Sequence, residues 1–271
     1  MELLTVNQEL CVKCGICAEV CPNGIIGMSA EGPQMLYEPA CIACGHCTAV
    51  CPVAALDNVK APLSKQVKLD QYPVINTETA YAFLRSRRSI RNYKKDKIAQ
   101  EKILQLLDIA RFAPSGCNSQ GLSYVVIENP EKLKKITEAT IEWLEKQIET
   151  NVEWAKPFAG LAEVYRKTGV DVVLREAPYL IVATVPQEFS LGHDNARFSL
   201  EYVELYAAAM GLGTCWAGFV EIAAGAQYKP ILEAMEIPDG FAVAGVMMLG
   251  YPKHTYQRLV DRNPIKVTWL A

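Results

Sequence analysis

The residues with the plainest chemistry are eight cysteines in two copies of one pattern. Cys11, Cys14, Cys17 and Cys21 precede Pro22, and thirty residues further on Cys41, Cys44, Cys47 and Cys51 precede Pro52. Gly15 matches Gly45 and Val20 matches Val50, as duplication of a half-module leaves behind. Two successive Cys-x2-Cys steps bring three thiolates round one tight loop to three corners of a cubane, while the fourth cysteine, before proline, points to another cluster. The expected ligand sets for two 4Fe-4S clusters are therefore Cys11, Cys14, Cys17 and Cys51 for one, and Cys41, Cys44, Cys47 and Cys21 for the other. Zinc and disulfides are the competing readings. A third cysteine at the same step and the terminal Cys-Pro suit tetrahedral zinc poorly, and disulfides need an oxidising compartment. His46 stands where Ile16 stands in the first copy, a non-ligand position.

Composition narrows the setting. With 271 residues, 51% hydrophobic and 21% charged, the chain reads as globular, with room for one large and one small domain. A formal charge of −3 gives bulk electrostatics no reason to select nucleic acid. The apolar run from Gly240 to Tyr251 is well short of the roughly 18 residues needed to cross a bilayer, so no membrane partner is expected. Met1 to Leu10 lacks Lys, Arg and a long apolar core, which points away from a secretory signal and towards a reducing, cytoplasmic setting. The remaining two cysteines, Cys117 and Cys215, read as small hydrophobes.

Over Met1 to Val59 the cysteine repeat resembles the bacterial two-cluster ferredoxin domain. A domain of that size has little core, so the clusters are expected to supply much of its folding energy and to carry single electrons. From Asp57 to Asn76 the chain turns polar, with Pro62 and Pro73, and a linker is expected over 60–76.

Beyond it, Ile103, Leu106, Leu107 and Ala110 share one face of an expected helix of about fifteen residues. Phe198, Tyr202, Leu205, Tyr206 and Ala209 share one face of another, and both faces are expected to pack on the core. Tyr179 to Val185 and Phe241 to Leu249 read as strands covered on both faces, with Leu122 to Glu128 a third. These elements imply an α+β or α/β layered domain.

Between Arg85 and Lys97 seven basic residues face one acid, Asp96. A solvated or nucleic-acid-binding face is the plain reading; a phosphate held by guanidinium forks and a hydroxyl, Arg87, Arg88 and Ser89, is the sharper one. The dinucleotide fingerprint fails at Trp216, and no Walker loop, zincin helix or serine elbow is present.

In order along the chain stand Arg87-Arg88-Ser89-Ile90-Arg91, Ala113-Pro114-Ser115-Gly116-Cys117-Asn118-Ser119-Gln120, Gly211-Leu212-Gly213-Thr214-Cys215-Trp216 and Gly250-Tyr251-Pro252. This ordered set, from Thr77 onward, resembles the nitroreductase family, so the chain looks like a ferredoxin-nitroreductase fusion. The resemblance implies an α+β sandwich over 77–271 that forms a homodimer with FMN in the interface. It implies that Arg87, Arg88 and Ser89 hold the FMN phosphate with help from Arg91, and that Arg262 completes the clamp with Arg258 a lesser helper. Asn118 and Gln120 are implied to approach from the partner subunit. Gly213, Thr214, Cys215 and Trp216 are implied to lie in a loop along the flavin, where glycines would permit close approach. Where the family often continues with Pro-Trp, this chain has Gly121-Leu122, a departure that bears on the substrate face.

The function so implied is an FMN-dependent oxidoreductase. An external one-electron donor loads the clusters, the clusters load the flavin, and the flavin reduces a nitroaromatic, a quinone or a similar small electrophile. Two alternatives stand beside it: an electron-carrier or redox-sensing module without turnover, and a reductive-dehalogenase-like or flavin-fragmenting enzyme.

Overall fold

A computed structural model describes residues 2–270. The chain packs as two compact units, one running to Val74 and including Cys117–Ser119, the other comprising Ile75–Gly116 and the chain from Gln120 onward.

In the first unit β1 (Leu4–Val6), α1 (Ile16–Glu19), β2 (Ile26–Ser29), β3 (Gly32–Met35), α2 (His46–Ala49) and β4 (Leu56–Asn58) follow one another. β1 pairs with β4 and β2 with β3, both antiparallel. The sequence repeat recurs in the backbone. Gly15 and Gly45 take φ of 81° and 71° ahead of the two single-turn helices, and Lys13 and Ala43 take 55° and 56°. Left-handed residues at matching positions wrap each cysteine loop tightly. The core is small: Leu4, Ile26, Ala55 and Leu56 close on Cys17 and Cys47.

The second unit opens with α3 (Thr77–Ser86), started by Asn76, whose side chain accepts from the Thr79 N–H at 2.8 Å. α4 (Gln100–Asp108) and β5 (Ser123–Ile127) follow; α4 is shorter than expected because its last turn tightens into a 3₁₀ stretch over Ile109–Phe112. Next come α5 (Pro130–Glu149), capped by Asn129 with Pro130 in the first turn, α6 (Ala159–Thr168), β6 (Tyr179–Pro186) and α7 (Gly192–Ala209). β7 (Gly213–Trp216), α8 (Gly218–Gly225), α9 (Lys229–Met235) and β8 (Phe241–Gly250) complete the unit.

Its sheet has the order β5-β6-β8-β7, with every pair antiparallel. Alternation along β6 divides the core. Leu180 and Val182 face α5, α6, α8 and α9, while Tyr179, Ile181, Ala183 and Val185 face α4 and α7. Helices thus cover both faces, which is why β6 and β8 read as continuous apolar runs. Gly245 lets α7 settle onto the sheet, since a Cβ there would lie 2.6 Å from Leu200 Cδ1. The fold is the expected α+β sandwich.

Two expectations fail. α7 buries Ala196, Leu200, Val203 and Ala207; of the expected face Tyr206 packs partly against that core, whereas Phe198 and Tyr202 are 50% and 39% exposed. The helix is apolar on two faces, and periodicity picked the aromatic one although the smaller residues are those that fit close to the sheet. Gly213–Trp216 is an edge strand rather than a loop, because β8 offers it a free ladder: Gly213 pairs with Gly250 and Trp216 with Met247.

Candidate functional site

Two cavities of about 20 Å³ each lie among the cysteines of the first unit. Cys11, Cys14, Cys17 and Cys51 border one; Cys21, Cys41, Cys44 and Cys47 border the other, with His46 also on its margin. Among the described residues no three His, Cys, Asp or Glu side chains converge on a single metal ion. Four sulfurs ringed about a cavity suit a polynuclear cluster, whose irons stand between the thiolates. The Ala55 N–H donates to Cys51 Sγ at 3.2 Å, and Asn58 Nδ2 to Cys41 Sγ at 3.8 Å, contacts of the kind that tune cluster potential. Burial pushes the Cys17 and Cys47 thiols up.

The second unit carries a cavity of about 430 Å³. The segment after α3 runs beside β7, where the Ile90 N–H donates to the Thr214 carbonyl at 2.8 Å. Arg87 and Arg88 thereby line the cavity together with Gly213 and Thr214. Gly213 is held to glycine by Ile90, since a Cβ there would lie 2.7 Å from Ile90 Cγ1. The chain after β8 also lines the cavity, through Pro252, His254, Thr255 and Tyr256. The Arg88 guanidinium lies 4.8 Å over the Tyr256 ring, which restrains a long side chain at the cavity. Arg87 Nη1 donates to Glu204 Oε1 at 2.9 Å, and Glu204, on α7, is 3% exposed.

Other candidate residues stand differently. Ser89 hydrogen-bonds the Cys215 side chain, whose thiol is pushed up by burial and pulled back by the Arg91 charge and by Ser89. A buried thiol so held is no nucleophile. Trp216 lies under the Arg197 guanidinium, 5.5 Å from its ring centre. Arg258 and Arg262 sit on an exposed segment without regular structure, and Arg262 Nη1 meets only its neighbour, the Asp261 carbonyl, at 3.2 Å. Asn118 groups with the first unit, where its Nδ2 donates to the carbonyls of Ile42 and Ala43 at 3.0 and 3.1 Å. Gln120 is exposed, and Cys117, Asn118, Gln120 and Gly121 all hold positive φ. Sequence reasoning missed Glu204, Thr255 and Tyr256. Glu204 carried one signal, an acid on the apolar stripe of Leu200, Val203 and Ala207.

Two guanidiniums, hydroxyl groups and an imidazole around about 430 Å³ fit a phosphate-bearing cofactor such as FMN in both donor chemistry and size.

Comparison with known proteins agrees with this geometry. The profile of the nitroreductase family matches residues 84–251, and that of a 4Fe-4S dicluster domain matches residues 10–56. A putative NADH dehydrogenase/NAD(P)H nitroreductase of Archaeoglobus fulgidus is 28% identical over 176 residues, 65% of this chain and 87% of the relative. An iodotyrosine deiodinase of Thermotoga neapolitana is 24% identical over 185 residues, 64% of this chain and 88% of the relative. A nitroreductase with bound FMN from Bacteroides fragilis superposes with a TM-score of 0.57 at 18% identity, covering 73% of this chain and all of that one, a likeness of fold. The chain therefore belongs to the nitroreductase family, as an FMN-dependent oxidoreductase whose flavin domain follows a 4Fe-4S ferredoxin domain.

Proposed function

We propose that the chain holds two 4Fe-4S clusters and one FMN, and that electrons entering singly from an external donor leave in pairs to a small electrophile such as a nitroaromatic or a quinone. The observation that carries this reading is the pair of four-cysteine cavities on the same chain as an arginine-walled cavity. When bound, the clusters supply one-electron steps and the flavin supplies two-electron, hydride-type reduction.

The residues do the holding. Cys11, Cys14, Cys17 and Cys51 bind one cluster and Cys41, Cys44, Cys47 and Cys21 the other. Arg87 and Arg88 take the FMN phosphate beside Gly213 and Thr214. Ser89 and Arg91 brace that wall through Cys215, which with Trp216 continues β7. Asn118 and Gln120 serve a flavin from across a homodimer, and Arg262 completes the phosphate clamp. A second copy as partner is supported by uncovered apolar side chains on two helices: Tyr81 and Leu84 on α3, Phe198 and Tyr202 on α7. No described helix is long and apolar enough to cross a membrane.

Metal and flavin analysis of anaerobically prepared protein tests the cofactor content, with about eight irons and one FMN per chain expected. Cys14→Ser tests the relay: turnover with a one-electron donor is expected to fall, and full activity in that variant would sink the idea. Reductive dehalogenation is the second reading, favoured by the deiodinase among the relatives. Halide release from an iodinated phenol by the reduced protein would select it.

A further inference from the structure

Glu204 is the one buried charged side chain among the described residues. Its neighbours on the inner face of α7 are Leu200, Val203 and Ala207, so packing alone would be served by an apolar residue. Burying a carboxylate is costly unless it is paired and hydrogen-bonded. Here the pairing comes from Arg87, through a single Nη1 contact of 2.9 Å, and both residues line the same cavity. The charged groups facing Glu204 are Arg87 and the Glu201 carboxyl, which hydrogen-bonds it from one turn earlier. An unrestrained arginine loses rotamer freedom when it binds an anion, and a guanidinium already fixed on one side loses less.

We propose that Glu204 is a positioning residue for the anion site: it holds the Arg87 guanidinium at the cavity wall, leaving the other N–H groups of the fork to receive the phosphate of the flavin. This rests on the reading that Arg87 binds that phosphate. Opposing it is the repulsion between the Glu204 carboxylate and a phosphate, which the intervening guanidinium offsets.

The test separates the phosphate from the rest of the ligand. Full-length protein stripped of flavin is titrated with FMN and with riboflavin, which lacks the phosphate, and fluorescence quenching gives the two dissociation constants and their ratio. Glu204→Leu is expected to cut the preference for FMN about tenfold or more while riboflavin affinity stays within about twofold. Glu204→Gln, which keeps an oxygen to accept from Arg87, is expected to retain the preference within about threefold. Glu204→Ala replaces the leucine variant if that fails to fold.

Arg87→Gln is the control for the underlying reading. If it keeps the preference for FMN, the phosphate assignment itself falls. If it loses the preference while Glu204→Leu keeps it, the positioning role alone is overturned. Equal losses for both flavins would mark Glu204 as merely structural, tighter FMN binding in either variant would make it a competitor of the phosphate, and a Gln variant as weak as the Leu variant would remove the hydrogen bond as the cause. Each of these three results overturns the proposal.

Discussion

Ile90 and Gly213 occupy one space: the Ile90 side chain fills the position a Cβ on residue 213 would need, 2.7 Å from its Cγ1, while the Ile90 N–H bonds the next carbonyl, that of Thr214, at 2.8 Å. This contact joins the arginine segment to the edge strand and so builds one wall of the cavity. Gly213→Ala should destabilise the protein by about 1–3 kcal/mol through overpacking, read by chemical denaturation, and should lower the FMN content of purified protein. In an Ile90→Ala background the same substitution should cost at least about 1 kcal/mol less. Equal cost in both backgrounds would show that Ile90 is not the obstacle.

The crossed arrangement of cysteines makes a prediction about pairs. Cys21→Ser combined with Cys41→Ser removes two ligands of one proposed cluster, so about four irons per chain should remain. Cys21→Ser combined with Cys11→Ser touches both and should leave almost none. Iron analysis decides, and the opposite order would mean that each run serves its own cluster.

Phe198 and Tyr202 stand 50% and 39% exposed on α7. If a second copy covers them, Phe198→Glu should convert a dimer of about 60 kDa, twice the chain mass of 29.9 kDa, into monomer. Sedimentation velocity reads the change, and an unaltered dimer would place the interface elsewhere.

Tyr165 and Arg166 tie α6 to α5 through carboxylates. Tyr165 Oη donates to Glu138 Oε2 at 2.6 Å, Arg166 pairs with Glu138, and its Nε and Nη2 donate to Glu145 at 2.9 and 2.8 Å. The Tyr165 hydrogen bond, aided by Arg166, holds the Glu138 carboxyl below the usual range. A depressed folded-state pKa means stability present above the unfolded value, near 4.3 or so, and lost as pH falls through the folded one. The groups are partly exposed, so the contribution is under about 1 kcal/mol. Glu138→Gln should narrow the gap in Tm between pH 7 and acid relative to wild type. An unchanged gap would discount this pair.

Much of the fold was legible because its signals are local. β6 and β8 announced themselves as unbroken apolar runs, and the helical spacing of Ile103, Leu106 and Ala110 placed the inner face of α4. α7 was misread for an equally local reason. Both of its faces carry apolar residues, and only the sheet, through Gly245 beneath Leu200, selects the narrower one. The edge strand β7 was taken for a loop because a four-residue run opened by Gly213 is too short to show a strand pattern until β8 lies beside it.

The sequence by itself determined the metal chemistry, since three cysteines two residues apart meet round one loop whatever the rest of the chain does, and the repeat places a second set thirty residues on. It also singled out Arg87 and Arg88 as candidates for an anion site, through the order of short motifs along the chain. Tertiary structure decided what those arginines face. Arg87 meets Glu204 across 117 positions of sequence, and Arg88 meets Tyr256 from beyond the last strand. Such pairs follow from the packing of α7 and the sheet rather than from any local periodicity, because a buried charge finds its partner only once the apolar core has closed around it.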